Sequence, residues 1–444
     1  MNIDKKAKVI KECVDKRLNE IIGIGEDVYR HPEPGFAEKR TAKVAADQLK
    51  SLGYEVSFYE DIPAVTAYLD TKKPGPVIAV LGEMDCIICP EHPDSTKEGY
   101  VHACGHHIQL ADMLGCAAVL KDSGLSNEMC GKIKFMAVPA EEHIQQEFRM
   151  DLVRQGKITF TGGKTELIYR GFFDDVDLAF MVHASDSKAK INFGKTCNGC
   201  LIKQISYKGK ASHAGGAPDK GINALYAANL GLNAINAIRE TFKDDDCIRV
   251  HPIITKGGDT VNTIPSEVNM GTYVRGKTLD AILDANKKVN RALAGSAAAI
   301  GCKVEIEDIP GYLPLASDQN LSDFALEAAK TLIGEDVEFT DHRGISTDMG
   351  DLSMIMPAIH PYIGGGSGGL HTVDFKVTNP KIAYGDGTAF LALTVYVLLA
   401  DDGVRARKVI DEHVPYFKNK DELVRCIKNL SRIDTYPKRD ILED

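Results

Sequence analysis

Apolar and polar positions along the chain change rhythm several times, and each change marks an element. Over residues 5–30 and 39–52 apolar side chains recur at helical spacing, which predicts two helices separated by the turn His31-Pro32-Glu33-Pro34-Gly35-Phe36. Val77 to Leu81, Ile133 to Val138 and Leu178 to Val182 are short continuous apolar runs. Such runs suit strands buried on both faces. The stretch from Leu110 to Leu120 is apolar and helix-friendly, so the preceding residues 102–107 are expected to open a helix. Alternation of strands with helices predicts a layered α/β sheet, and ligands in such sheets gather at the carboxyl ends of the strands.

Near residue 196 the pattern changes. Leu201 to Lys210 alternates like a half-solvated strand, and 223–242 reads as a helix. Ile248 to Thr255 and Glu267 to Arg275 read as strands, Leu279 to Ile300 as a long alanine-rich helix, and Cys302 to Ile309 as a final strand. The order β-α-β-β-α-β is that of the ferredoxin-like split unit. Residues 197–308 are therefore expected to form an inserted α+β domain, with 1–196 and 309–444 forming one discontinuous catalytic domain. Beyond Pro310 a helix is predicted over 318–333, a glycine-rich loop region over 344–375, an apolar helix over 380–400, and a charged helical tail.

Composition adds limits. With 444 residues, two domains are the natural division. A net charge of −10 argues against nucleic acid as a partner. No apolar run is expected to reach membrane-spanning length, so no membrane is expected either. Met1-Asn2-Ile3-Asp4-Lys5-Lys6 runs into a charged helix rather than a secretory leader. Eleven cysteines are then expected as reduced thiols in a cytoplasmic chain. The pairs Cys86/Cys89 and Cys197/Cys200 lie too far apart for a zinc ribbon, and buried inert thiols account for them better.

The chemistry starts at His102-Ala103-Cys104-Gly105-His106-His107. Cys104 and His106 are both good ligands for a borderline-soft ion, and Gly105 permits a turn that aims both at one point. Asp85, Glu141, Glu142 and His183 follow predicted strands, and His371 lies in the glycine-rich loop. Five ligands, Cys104, His106, Glu142, His183 and His371, suit two divalent ions with either Cys104 or Glu142 bridging. Such ions, about 3.5–4 Å apart, share a water and lower its pKa towards 7. Successive residues of an extended segment point in different directions. One carboxylate of the pair can thus bind metal while the other stays free as general base and then acid. A histidine turn and a solvated Glu-Glu loop are the plainer readings of these motifs in isolation. Their coincidence at strand ends outweighs both. For His213, Asn262 and Arg275, taken alone, solvent-facing positions are a serious alternative.

These stretches resemble a metallopeptidase superfamily, that of aminoacylase, carboxypeptidase G and hippurate hydrolase. The resemblance is closest to the branch with p-aminobenzoyl-glutamate hydrolase and a β-alanyl-lysine-type dipeptidase. It rests on His31-Pro32-Glu33, Met84-Asp85, His102 to His106, Pro139 to Glu142, His183, Ser212-His213-Ala214, Asn262-Thr263-Ile264-Pro265, Ser346 to Asp351, His360-Pro361 and His371-Thr372, in that order along the chain. It implies the five ligands above for zinc or manganese, with cobalt a third choice, and Glu141 as base. Asp85 would orient a ligand. The insert would be a lid and dimerisation domain whose His213 reaches the partner's site to stabilise the oxyanion. Asn262 and Arg275 would hold the substrate's carboxylate or carbonyl. His107 and Gln109 stand where the hippurate hydrolase branch has aspartate and histidine, so His107 is a further ligand or a hydrogen-bonding neighbour. The expected activity is hydrolysis of an N-acyl or N-aminoacyl amino acid, or of a dipeptide, by a metal-activated water. The rivals are a cysteine-nucleophile amidase using Cys104 and a metal-binding assembly protein without catalysis.

Overall fold

The computed structural model describes residues 2–437, which form two compact units. The larger comprises residues up to Lys195, Ala316–His342 and Asp351–Lys420. Its main sheet has six strands, in the order Val56–Tyr59, Ala64–Asp70, Lys132–Val138, Val77–Glu83, Leu178–Phe180 and Ala358–Ile359. The last four run parallel to one another, and Ala64–Asp70 is antiparallel to Lys132–Val138. Val77–Glu83 is buried on both faces, as its unbroken apolar run requires. Parallel pairing leaves Glu83, Val138 and Phe180 at the same edge, and the chemical residues follow them there.

Helices Ile3–Tyr29, His106–Asp122 and Gly387–Leu399 pack together beside this sheet. His106–Asp122 is buried from His106 through Leu120, so it carries no amphipathic stripe and shows only as an apolar run. Residues Lys381–Leu399 are long and apolar enough to cross a membrane by length and composition, contrary to the sequence expectation. They are 89% buried inside the protein and form a core helix. The strand read over 178–182 also stops early. Leu178–Phe180 belongs to the main sheet, whereas His183–Ala184 pairs in parallel with Tyr362–Ile363 in a second sheet.

The smaller unit comprises Thr196–Leu315, Arg343–Gly350 and the chain from Asp421. Its sheet runs Arg249–Val250, Glu267–Gly276, Gly199–Lys208, Lys303–Pro310 and Arg432–Tyr436, with Ile253–Lys256 also paired to Glu267–Gly276. Gly199–Lys208 pairs antiparallel with both neighbours, Lys208 opposite Glu267 and Lys303. Alternate residues of Glu267–Gly276 are buried, facing helices Ala224–Ala237 and Leu279–Ile300. This is the split β-α-β arrangement with one strand added. The added strand comes from the tail read as helical. Arg432 Nε lies 3.2 Å from Oδ2 of Asp308, whose other oxygen bonds buried Lys203. Thr196, residues 309–315, Arg343–Gly350 and the tail from Asp421, all outside 197–308, thus join this unit. The tail's last residues, 438–444, lie outside the described residues.

Candidate metal centre

Gly105 has φ +84°, and a Cβ there would stand 2.4 Å from the Ala184 Cβ. Only glycine turns the chain so sharply between Cys104 and the first residue of the helix, His106. The Nδ1 of His106 lies 2.8 Å from the Asp85 carbonyl oxygen and 3.0 Å from Asp85 Oδ1. A carbonyl only accepts, so Nδ1 carries the hydrogen and Nε2 is left for a ligand. His183 is set the same way, its Nδ1 donating to the Ala184 carbonyl at 2.8 Å. Its Nε2 lies 3.5 Å from Cys104 Sγ. Donors bound to a tetrahedral ion at about 2.0–2.3 Å stand about 3.3–3.6 Å apart, so this spacing fits an ion.

A second set lies on the other side of the thiol. Cys104, Glu142 and His371 offer atoms within 4.8 Å of one another, as do Cys104, His106 and His183. Cys104 belongs to both. His371 Nε2 is 2.8 Å from Glu142 Oε1. The loop carrying His371 is tied to the cysteine turn, with the His371 N–H donating to the Ala103 carbonyl at 2.8 Å.

The Glu141-Glu142 segment is held from behind. Ala140 adopts φ +58°, a costly conformation for a residue with a Cβ, kept by its surroundings. Its N–H donates to buried Glu38 at 2.7 Å, and the Glu142 N–H donates to Asp85 Oδ2 at 2.8 Å. Arg149, wholly buried, donates to the carbonyls of Glu142, of Thr161 at 2.6 Å and of Ala140 at 3.3 Å. Glu141 Oε2 then lies 4.0 Å from His106 Nε2.

The field here favours positive charge. Burial works against a charged His106 ring, yet Glu83 and Asp85 outweigh it and push its pKa up to about 9. Burial would raise Glu142, but His371 holds it down to about 2. Burial and the neighbouring His106 lower His183 to about 4, so it stays neutral. Burial, with Glu142 and Glu141, drives the Cys104 thiol well above its ordinary range. A thiol so placed is a poor nucleophile by itself and becomes a thiolate when a cation binds it.

Asp85 thus bonds both the His106 ring and the Glu142 N–H. Sequence reasoning missed Glu83 and Arg149. Glu83 ends the Val77–Glu83 strand, is wholly buried, faces His106 Nε2 at 3.3 Å and pairs with buried Lys164. Position at a strand end was the available signal for it. His107 is not among the ligand sets of the described residues. Its ring packs 4.9 Å from that of Tyr29 and 5.6 Å from that of His102.

In the smaller unit, His213 is exposed and its Nδ1 accepts from the N–H groups of Gly216 at 2.8 Å and Gly215 at 3.2 Å. The neutral ring then carries its hydrogen on Nε2, which is a donor. Asn262 is adjacent, its carbonyl accepting from the Ala214 N–H at 2.9 Å. Arg275 lies at the far end of Glu267–Gly276, stacked on Tyr273 with Nη1 2.9 Å from Ser346 Oγ. The strand separates it from the His213 loop by about 27 Å at ~3.4 Å per residue.

Over residues 79–397, which take in all of these donors, the chain matches a known protein family. The chain belongs to peptidase family M20/M25/M40. Among curated family relatives, a human Xaa-Arg dipeptidase is 28% identical over 82% of this chain and 81% of its own. A hippurate hydrolase from Campylobacter jejuni is 27% identical over 88% of this chain and 98% of its own. A Bacillus subtilis structure described as a dinuclear metal binding peptidase of the M20 family superposes with a TM-score of 0.68 at 21% identity. It covers 88% of this chain and all of its own. An aminobenzoyl-glutamate utilization protein from Klebsiella pneumoniae gives 0.65 at 21% identity, with 89% and 100% covered.

Proposed function

We propose that this M20-family hydrolase cleaves the amide bond of an N-acyl or N-aminoacyl amino acid, or of a dipeptide, with two divalent ions held by Cys104, His106, Glu142, His183 and His371. The observation that carries the reading is the pair of donor sets sharing Cys104. Zinc or manganese suits the mixture of thiolate, imidazole and carboxylate, and cobalt would replace either. Bound ions supply Lewis acidity and a water acidic enough to lose its proton near neutral pH.

The protein's own groups do the rest. Glu141 accepts the water's proton and delivers it to the leaving nitrogen. Asp85 keeps His106 turned with Nε2 outward, and Arg149 keeps the Glu141 backbone in place. His213 Nε2–H is a ready donor for the oxygen that becomes negative as the carbonyl is attacked. Asn262 and Arg275 bind the substrate's carbonyl or carboxylate, for which the guanidinium is well shaped. Their separation along one strand supports service to two different sites, as in a two-fold dimer formed by the inserted unit. Exposed Tyr226, Ile253 and Val261 on that unit fit such an interface. The dipeptidase and hippurate hydrolase names of the relatives support the substrate class. We place the enzyme in the cytoplasm on its eleven free thiols.

The test is a panel of N-acyl amino acids and dipeptides, including those with C-terminal arginine, assayed with each metal and after chelation. Turnover of at least one class, lost on chelation and restored by metal, is expected. Activity that survives complete metal removal would contradict the proposal and favour the Cys104 nucleophile.

A further inference from the structure

The carboxylate of Glu83 is the least explained group near the centre. It is wholly buried, and its Oε1 bonds the ammonium of Lys164, which is wholly buried as well. A buried ion pair contributes little net stability, so its retention calls for another reason. Oε2 makes no hydrogen bond. It faces His106 Nε2, also without one, at 3.3 Å. With the ring hydrogen held on Nδ1 by the Asp85 carbonyl, Nε2 presents a lone pair in the neutral ring, the form that binds a metal. Two lone pairs 3.3 Å apart repel unless a cation lies between them. A proton on Nε2 would satisfy the contact, but it would bar the ring from the set in which it meets Cys104 and His183. Moreover, 3.3 Å is about the separation of an oxygen and a nitrogen bound to one tetrahedral ion at about 2.0–2.1 Å. Glu83 and Glu141 both offer an oxygen within 4.8 Å of His106.

From this the structure assigns Glu83 as a sixth metal ligand, giving Oε2 to the ion that His106 holds, while Lys164 fixes its other oxygen. Lys164 also offsets the charge that an extra carboxylate adds. The pair therefore biases this one position towards harder, carboxylate-tolerant ions over purely soft-ligand ones. The inference rests on the two-ion reading above.

The test is metal binding, with turnover not required. Chelated wild type, Glu83→Gln and Glu83→Gln/Lys164→Met are titrated with Zn²⁺, Mn²⁺ and Co²⁺, and the Co²⁺ visible spectrum is recorded. The double variant removes both charges together, so it reports even where Glu83→Gln leaves Lys164 unpaired and fails to fold. Wild type should take two ions. The variants should bind one of them about 10–100-fold more weakly, with the other unchanged. The Co²⁺ bands of the weakened position should shift, which a remote structural role would not cause. Two ions bound with wild-type affinity and an unaltered spectrum in the folded variants would overturn the role of Glu83 and leave the two-ion centre standing. A wild type that binds no ion would overturn both.

Discussion

Removing the Arg149 guanidinium tests how the acidic pair is held. In Arg149→Ala the buried Thr161 carbonyl loses its side-chain donor, while the carbonyls of Ala140 and Glu142 lose one donor of two and keep the N–H groups of Gly163 and Ile144. Asp85 also loses a positive neighbour 4.0 Å away. Each buried acceptor left unpaired costs about 1–3 kcal/mol, and breaking a buried charge contact about 3–5. The long 3.3 Å bond to Ala140 adds least. A loss of about 3–5 kcal/mol is expected, and calorimetry should show the larger unit melting roughly 6–10 °C lower. Ala140, at φ +58°, then has less to hold it. A shift of Glu141 by about 1 Å should cost about 10² in kcat. Arg149→Lys keeps the charge but cannot reach three acceptors from one nitrogen, so it should fall between. Arg154, on the same helix and 61% exposed, is the control. Arg154→Ala should change neither quantity. If Arg149→Ala melts with the wild type and keeps kcat within twofold, the segment is held by something else.

Glu141→Gln should keep its metals and substrate affinity while kcat drops by about 10²–10⁴, read by steady-state kinetics beside metal analysis. Near wild-type turnover removes Glu141 from proton transfer. Cys104→Ala should lose at least one ion and nearly all activity, and full occupancy by elemental analysis excludes the thiol from the centre. For His213, two dead variants, Glu141→Ala and His213→Ala, are mixed under conditions that exchange subunits. Half the dimers are then hybrids with one whole site of two, so about a quarter of wild-type activity should return. A mixture that exchanges and stays dead puts His213 in its own chain's site or outside catalysis.

What the sequence revealed followed from burial. Strands covered on both faces read as continuous apolar runs, so their ends, and with them Asp85, Glu141 and Glu142, could be found. The turn at Gly105 was legible because a Cβ has no room there. Arg149 was not, because arginine in a charged helix is usually at the surface, and its burial depends on loops on both sides of the helix folding back to present the carbonyls of Ala140, Glu142 and Thr161. Lys164 and Glu83 are 81 residues apart, so their pairing has no local signature. The tail strand Arg432–Tyr436 looked helical because its pairing with Lys303–Pro310 is equally remote. His107 drew attention beside Cys104 and His106, yet successive residues of a helix point about 100° apart, and it turns away into aromatic packing.

The most direct test of the central claim is anomalous X-ray diffraction from metal-loaded crystals, recorded at the absorption edge of the bound ion. Two peaks about 3.5–4 Å apart should appear, each about 2.3 Å from the Cys104 sulfur. One should lie against His106 and His183 and the other against Glu142 and His371. A single peak, or a pair that leaves Cys104 outside bonding distance of either, would contradict the account.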